Sequence, residues 1–127
     1  MSTPVVGIVG PCAAGKSTLA EKLLTVGYSA KHIAQEHSYV SDMWKRITDP
    51  SILIYLQVSY PVTLQRRRLN WNFEEYKVQI DRLRHARKYA DLVIDTDKLS
   101  IDSIFNMVHE YLQTHGVEPS LELKSNK

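Results

Sequence analysis

The chain has one cysteine, Cys12, among 127 residues, which excludes an internal disulfide and suits a reducing, cytoplasmic setting. It has no long apolar run. Met1-Ser2-Thr3-Pro4 leads straight into Val5-Val6-Gly7-Ile8-Val9 with no basic stretch ahead of it, so neither a signal peptide nor a membrane span is expected. Excess charge is small: a net charge of +2 with histidine neutral supplies no electrostatic reason for a nucleic-acid or membrane partner. The arginines also lack aromatics interleaved with them on one surface, which a single-stranded nucleic-acid groove needs. Repeats and low-complexity blocks are absent, and the length allows one domain with no separate substrate domain.

Glycine is scarce too, five residues in all, yet two of them frame Gly10-Pro11-Cys12-Ala13-Ala14-Gly15-Lys16-Ser17, followed by Thr18. This is G-x-x-x-x-G-K-[ST], lying between an apolar run and a segment of helical spacing, the strand, loop and helix order that a phosphate-binding loop requires. Gly10 and Gly15 let the backbone wrap closely round an anion with successive N–H groups turned inward. The helix opening near Lys16 adds free N–H groups and a positive dipole end. Lys16 can reach the β and γ phosphates, and the Ser17 hydroxyl can ligate Mg²⁺, so ATP with Mg²⁺ is the expected ligand, held by Gly10 to Thr18. Cys12, inside the loop, reads as a small filler whose backbone N–H matters, and not as a nucleophile.

Strands are expected over residues 5–9, 28–34, 51–58 and 92–94, from short apolar or β-branched runs, with 52–58 the strongest and central. Helices are expected over 17–26, 42–47, 62–69, 73–89 and 101–112. In the first, Leu19, Leu23 and Val26 face inward with Ala20 and Leu24 beside them, and Gly27 follows as a cap. In the fourth, Phe73, Tyr76, Ile80 and Leu83 make the stripe. In the last, which Ser100 caps, Ile101, Ile104, Phe105, Val108, Tyr111 and Leu112 keep a helical period. From His115 onward the composition predicts a frayed tail. Strands alternating with helices predict an α/β fold, a parallel sheet between helical layers in strand order 2-1-3-4, with the site at the carboxyl ends of strands 1, 2 and 3.

A phosphate loop needs a carboxylate beside it to organise Mg²⁺ or take a proton, and Glu36, just past the second strand, is the candidate. His37 reads as its polar neighbour, and Asp42 is accounted for by its place in the first turn of a helix. Arg66, Arg67 and Arg68 form the densest basic cluster, and a guanidinium there would stabilise the charge of a transferring phosphoryl group. Three consecutive residues fan round a helix, so one or two at most can face the site. Arg82, Arg84 and Arg87 make a second set. Asp95-Thr96-Asp97-Lys98 has the wrong order for a guanine-reading loop, and no D-x-x-G precedes it, so it is expected beside an adenine or capping the sheet.

The chain resembles the P-loop NTPase superfamily, and within it the small nucleoside and nucleotide kinases of the thymidylate and adenylate kinase kind. Gly10 to Thr18, Asp49-Pro50 with Ile52 to Val58 leading to Arg66-Arg67-Arg68, and Ala90-Asp91-Leu92-Val93-Ile94-Asp95-Thr96 carry the resemblance. It implies a kinase-like domain over residues 1–114 with a tail over 115–127, in a minimal form: the acceptor-binding insertion of those kinases is missing and the lid after Arg68 is short. The implied activity is transfer of the γ-phosphoryl group of ATP to a small-molecule acceptor, with Lys16, Glu36, Arg66 and Arg67 catalytic and Ser17 and Glu36 at the metal. The alternative is a nucleotide-binding module or slow NTPase acting through a protein partner.

Overall fold

A computed structural model describes residues 3–67 and 70–120 of the chain. Its centre is a parallel sheet of β1 (Val5–Val9), β2 (Ser29–His32), β3 (Ile52–Gln57) and β4 (Leu92–Asp95), in the expected order β2-β1-β3-β4. Five helices accompany the strands among the described residues: α1 (Lys16–Thr25), α2 (Tyr60–Arg66), α3 (Phe73–Arg82), α4 (Arg84–Tyr89) and α5 (Ile101–Thr114). Register is set by the period of two along each strand. Val6 and Ile8 of β1 and Ile54 and Leu56 of β3 pack with Leu19, Leu23, Ile104, Val108 and Leu112 of α1 and α5 on one face. Val9, Leu53 and Tyr55 pack with Trp44, Leu83 and Ala86 on the other. Gly7 lets this second layer close, because a Cβ there would meet Pro50 at 2.8 Å.

Several elements differ from expectation for reasons visible in the packing. The single helix expected over 73–89 is two, α3 and α4, separated by Leu83, whose N–H is shared between the Gln79 and Ile80 carbonyls. The break lets Leu83 and Ala86 cover β3 while α3 turns toward the phosphate loop. As a result Gln79 is buried, and Phe73, expected in the stripe, is 50% exposed and stacks on Tyr76 at 6.1 Å. Leu24 is 46% exposed, because the inward stripe of α1 narrows to Leu19, Ala20 and Leu23. The short helix expected over 42–47 is one wide turn, Trp44–Thr48, in which Asp49 N–H donates to the Trp44 carbonyl. Buried Trp44 is held by Gln35, whose Oε1 accepts its N–H, and by His85, whose Nδ1 accepts its Nε1–H.

α2 begins at Tyr60 with Pro61 in its first turn and ends at Arg66, short of the expected residue 69, because Arg67 is extended. Arg68 and the rest of that expected end lie outside the described residues. Past α5, Val117 is buried with its N–H on the Leu112 carbonyl, and Ser120 N–H donates to Gly27 O. Residues 115–120 of the expected tail therefore begin by folding back on the end of α1. Residues 121–127 lie outside the described residues.

Tyr55, 2% exposed in the second layer, carries a pH consequence. Burial, with Tyr76 adding to it and Arg87 opposing it, pushes the phenol from 10.0 up to about 12. The folded chain binds that proton more tightly than the unfolded chain, so the stabilisation is full below pH 10 and is lost as pH rises through about 12. Two units amount to about 3 kcal/mol of pH-dependent stability. Tyr55→Phe cannot ionise, so its unfolding midpoint in an alkaline titration followed by circular dichroism is expected at higher pH than that of the parent. An unchanged midpoint refutes the assignment. Burial raises Tyr28 and Tyr76 in the same direction, so part of the alkaline transition persists in the variant.

Candidate functional site

β1 ends at Val9 and delivers the chain into the loop Gly10 to Gly15, from which α1 starts at Lys16. Gly10 lies so close to β3 that a Cβ there would stand 2.4 Å from the Leu56 carbonyl oxygen. Ala13 and Gly15 take φ of 69° and 95°, turning the backbone so that it curls round the space above α1. No side chain caps α1, which leaves its first N–H groups for an anion.

Two residues from distant elements fix this loop. Gln79 of α3 accepts from Cys12 N–H through Oε1 at 3.0 Å and donates from Nε2 to Cys12 Sγ at 3.1 Å. Arg66, at the end of α2, donates from Nη1 to Ala13 O at 3.2 Å and to Thr96 Oγ1 at 2.8 Å, and from Nη2 to Thr96 O. Thr96 is fully buried, and its hydroxyl donates to Gln57 O at 2.8 Å. Asp97 Oδ1 accepts from Ser59 N–H at 2.9 Å. The loop after β4 thus closes the end of the sheet, as expected for one of its two readings. Gln79 carries no signal in the sequence, and for Thr96 the sequence marks the loop but not the Arg66 that binds it, since each acts on a residue far along the chain.

Glu36 follows β2 in a short turn, Gln35–His37, and its carboxylate reaches Lys16. Lys16 Nζ lies 2.8 Å from Glu36 Oε2, 2.7 Å from Gly10 O and 3.1 Å from Pro11 O. The pair is buried, with side chains 10% and 5% exposed. Glu36 Oε1 is buried without a hydrogen-bond partner, an acceptor that a donor or a hard cation would satisfy. His37 Nε2 stands 3.8 Å from Glu36 Oε2 and 3.9 Å from Cys12 Sγ.

These residues border one cleft of about 320 Å³, lined by Cys12, Ala13, Lys16 and Ser17 of the loop and α1, by Glu36 and His37, and by Arg66 and Arg67. Lys16, Glu36, Arg66 and Arg67 are therefore brought together, with Ser17 in the same lining. Among the described residues the Arg66 guanidinium is engaged with Thr96 and Ala13, whereas that of Arg67 has no hydrogen-bond partner. The other candidates lie elsewhere: Asp42 pairs with Arg46, Arg84 pairs with Asp81, and Arg87 packs over Tyr55. Arg82 is not in the cleft lining; its guanidinium lies over Tyr39 and its Nη1 is 3.4 Å from Glu36 O.

A parallel sheet in the order β2-β1-β3-β4, with a glycine-framed loop between β1 and α1 and helices on both faces, is the fold of the P-loop kinases. Among solved structures, a crystal structure of shikimate kinase from Bacteroides thetaiotaomicron superimposes with a TM-score of 0.56 over 88% of this chain and 99% of that one. Sequence identity is 14%, so the likeness is one of fold. No known family and no curated protein matches the sequence. Among the described residues no helix is long and apolar enough to cross a membrane.

Proposed function

We propose that the chain binds ATP with Mg²⁺ in the cleft above α1 and transfers the γ-phosphoryl group to a small-molecule acceptor. The observation that carries this reading is the convergence of Lys16, Ser17, Glu36 and Arg67 on one cleft at the carboxyl ends of the strands. In this reading the loop Gly10 to Thr18 cradles the phosphates through the N–H groups of Gly15 to Thr18, since Pro11 has none and those of Cys12 and Ala14 are held by Gln79 and Pro11 O. Lys16 exchanges Gly10 O and Pro11 O for phosphate oxygens that carry full charge, a stronger set of partners. Ser17 and Glu36 would hold Mg²⁺, which supplies charge neutralisation between the β and γ phosphates. Both residues line the cleft, and the buried, partnerless Oε1 of Glu36 fits a hard cation. Alternatively, with that oxygen free of the cation, Glu36 would act as the base that receives the proton of an acceptor hydroxyl.

The two arginines take different parts. Arg67 faces the cleft and closes on the transferring group, while Arg66 holds Ala13 and Thr96 in place. Arg67→Ala is expected to lower turnover roughly 10²–10³-fold with little change in melting temperature, and Arg66→Ala is expected to lower the melting temperature as well. Labelled-phosphate transfer from ATP, run across nucleosides, sugars and small metabolites, tests the proposal. Prompt transfer to one compound supports the kinase. Slow release of free phosphate alone refutes it in favour of an NTPase or nucleotide-binding module, for which the direct run from α1 into β2, with no inserted segment, speaks.

A further inference from the structure

Cys12 and His37 take no part in the proposed transfer, yet they stand beside its carboxylate. Cys12 Sγ, a Glu36 carboxylate oxygen and a His37 ring nitrogen all lie within 4.8 Å of one another. We propose that these three side chains form a site for a divalent transition-metal ion of the zinc type, at the mouth of the phosphate cleft.

The donor set selects the ion. Thiolate and imidazole suit zinc, whereas Mg²⁺ takes oxygen ligands. Around a tetrahedral zinc with bonds of about 2.0–2.3 Å, neighbouring donors stand about 3.3–3.6 Å apart. The Cys12 Sγ to His37 Nε2 distance of 3.9 Å and the His37 Nε2 to Glu36 Oε2 distance of 3.8 Å are a few tenths of an ångström wider, and Cys12 Sγ lies within 4.8 Å of a Glu36 carboxylate oxygen. The His37 side chain is 60% exposed and has room to close that gap.

Two further observations point the same way. Glu36 is nine-tenths buried, and its Oε2, the oxygen nearer His37 Nε2, is also the one on Lys16, while Oε1 has no partner; a small turn of the carboxylate gives one oxygen to the ammonium and the other to the metal. Cys12 already has the outer contact that metal-bound thiolates take. The Cys12 N–H must donate, so the facing Gln79 atom is the amide oxygen, and Nε2–H is the group turned to sulfur. Three protein ligands leave a fourth position open to the cleft. Binding releases the thiol proton to solvent as the sulfur–metal bond forms.

Cobalt(II) titration of the tag-free protein, without nucleotide, tests the site. Cys12 is the only thiol in the chain, so a thiolate-to-cobalt charge-transfer band reports on it alone. The band is expected to saturate at one ion per chain and to vanish on adding Zn²⁺. His37→Ala, with folding checked by circular dichroism, is expected to weaken cobalt binding at least tenfold. No band, or a His37→Ala variant that binds cobalt as tightly as the parent, overturns the proposal.

A second titration locates the ion. With Zn²⁺ bound, inorganic tripolyphosphate is expected to bind at least tenfold more tightly, because its charge meets the cation and one of its oxygens takes the open fourth position, a step that rests on the nucleotide reading above. Unchanged tripolyphosphate affinity in the presence of the cobalt band overturns the placement at the cleft mouth. Failure of tripolyphosphate to bind the metal-free protein refutes the nucleotide reading and leaves the cobalt result standing as support for the site.

Discussion

Lys16→Ala is expected to abolish measurable binding of a non-hydrolysable ATP analogue with Mg²⁺ and, less obviously, to destabilise the fold by about 3–5 kcal/mol. The second effect comes from Glu36. Its carboxylate is 5% exposed and lies 2.8 Å from the ammonium, so removing the cation leaves a buried charge uncompensated, with the largely exposed His37 the next basic group. Adding Glu36→Gln to Lys16→Ala removes the stranded charge and is expected to recover most of the lost stability, while nucleotide binding stays absent. Chemical denaturation of the two single variants and the double variant, beside isothermal titration with nucleotide, separates the terms. Equal stabilities for the parent and Lys16→Ala would show that the pair contributes nothing to folding. Nucleotide binding that survives in a folded Lys16→Ala chain would remove the basis of the functional proposal.

Gly10→Ala should be the most damaging single methyl group in the loop. The added Cβ would lie 2.4 Å from the Leu56 carbonyl oxygen, a backbone atom inside a strand that cannot swing aside. Either β1 and β3 separate or the loop moves, at a cost of about 1–3 kcal/mol for the overpacking and with loss of the phosphate-binding geometry. Gly15→Ala is the matched control. Its Cβ would meet nothing within 4 Å, so only the positive φ of 95° opposes it, about 1–2 kcal/mol. Gly10→Ala is therefore expected to lose more nucleotide affinity than Gly15→Ala at comparable or lower stability, and the opposite ranking would show that the close approach to β3 does not set the loop.

Elements with strong local signals were legible before any tertiary information. The apolar runs of β1 and β3, the glycine-framed loop and the stripe of α5 each depend on residues within one or two turns, where side-chain period and backbone freedom act directly. Strand order followed from the right-handed crossover rule. Glu36 was placed by its position after β2, and the structure puts it against Lys16. The helix over 73–89 misled because no glycine or proline interrupts it, whereas the competing requirements of β3 and the phosphate loop divide it at Leu83. Phe73 looked like core because hydrophobicity does not say which neighbour covers a ring, and the ring lies against Tyr60 and Tyr76 at the surface.

By itself, then, the sequence determined the order of strands and helices and the loop whose glycines let the backbone curl above α1, since these are properties of a few consecutive residues. Only the tertiary structure decided that Gln79 holds Cys12, that Arg66 binds Ala13 and Thr96, and that Arg67 is left facing the cleft. Those partners are separated by 30 to 67 positions. Which of several similar polar side chains reaches a given backbone group depends on where the packed helices carry it, and no local pattern encodes that.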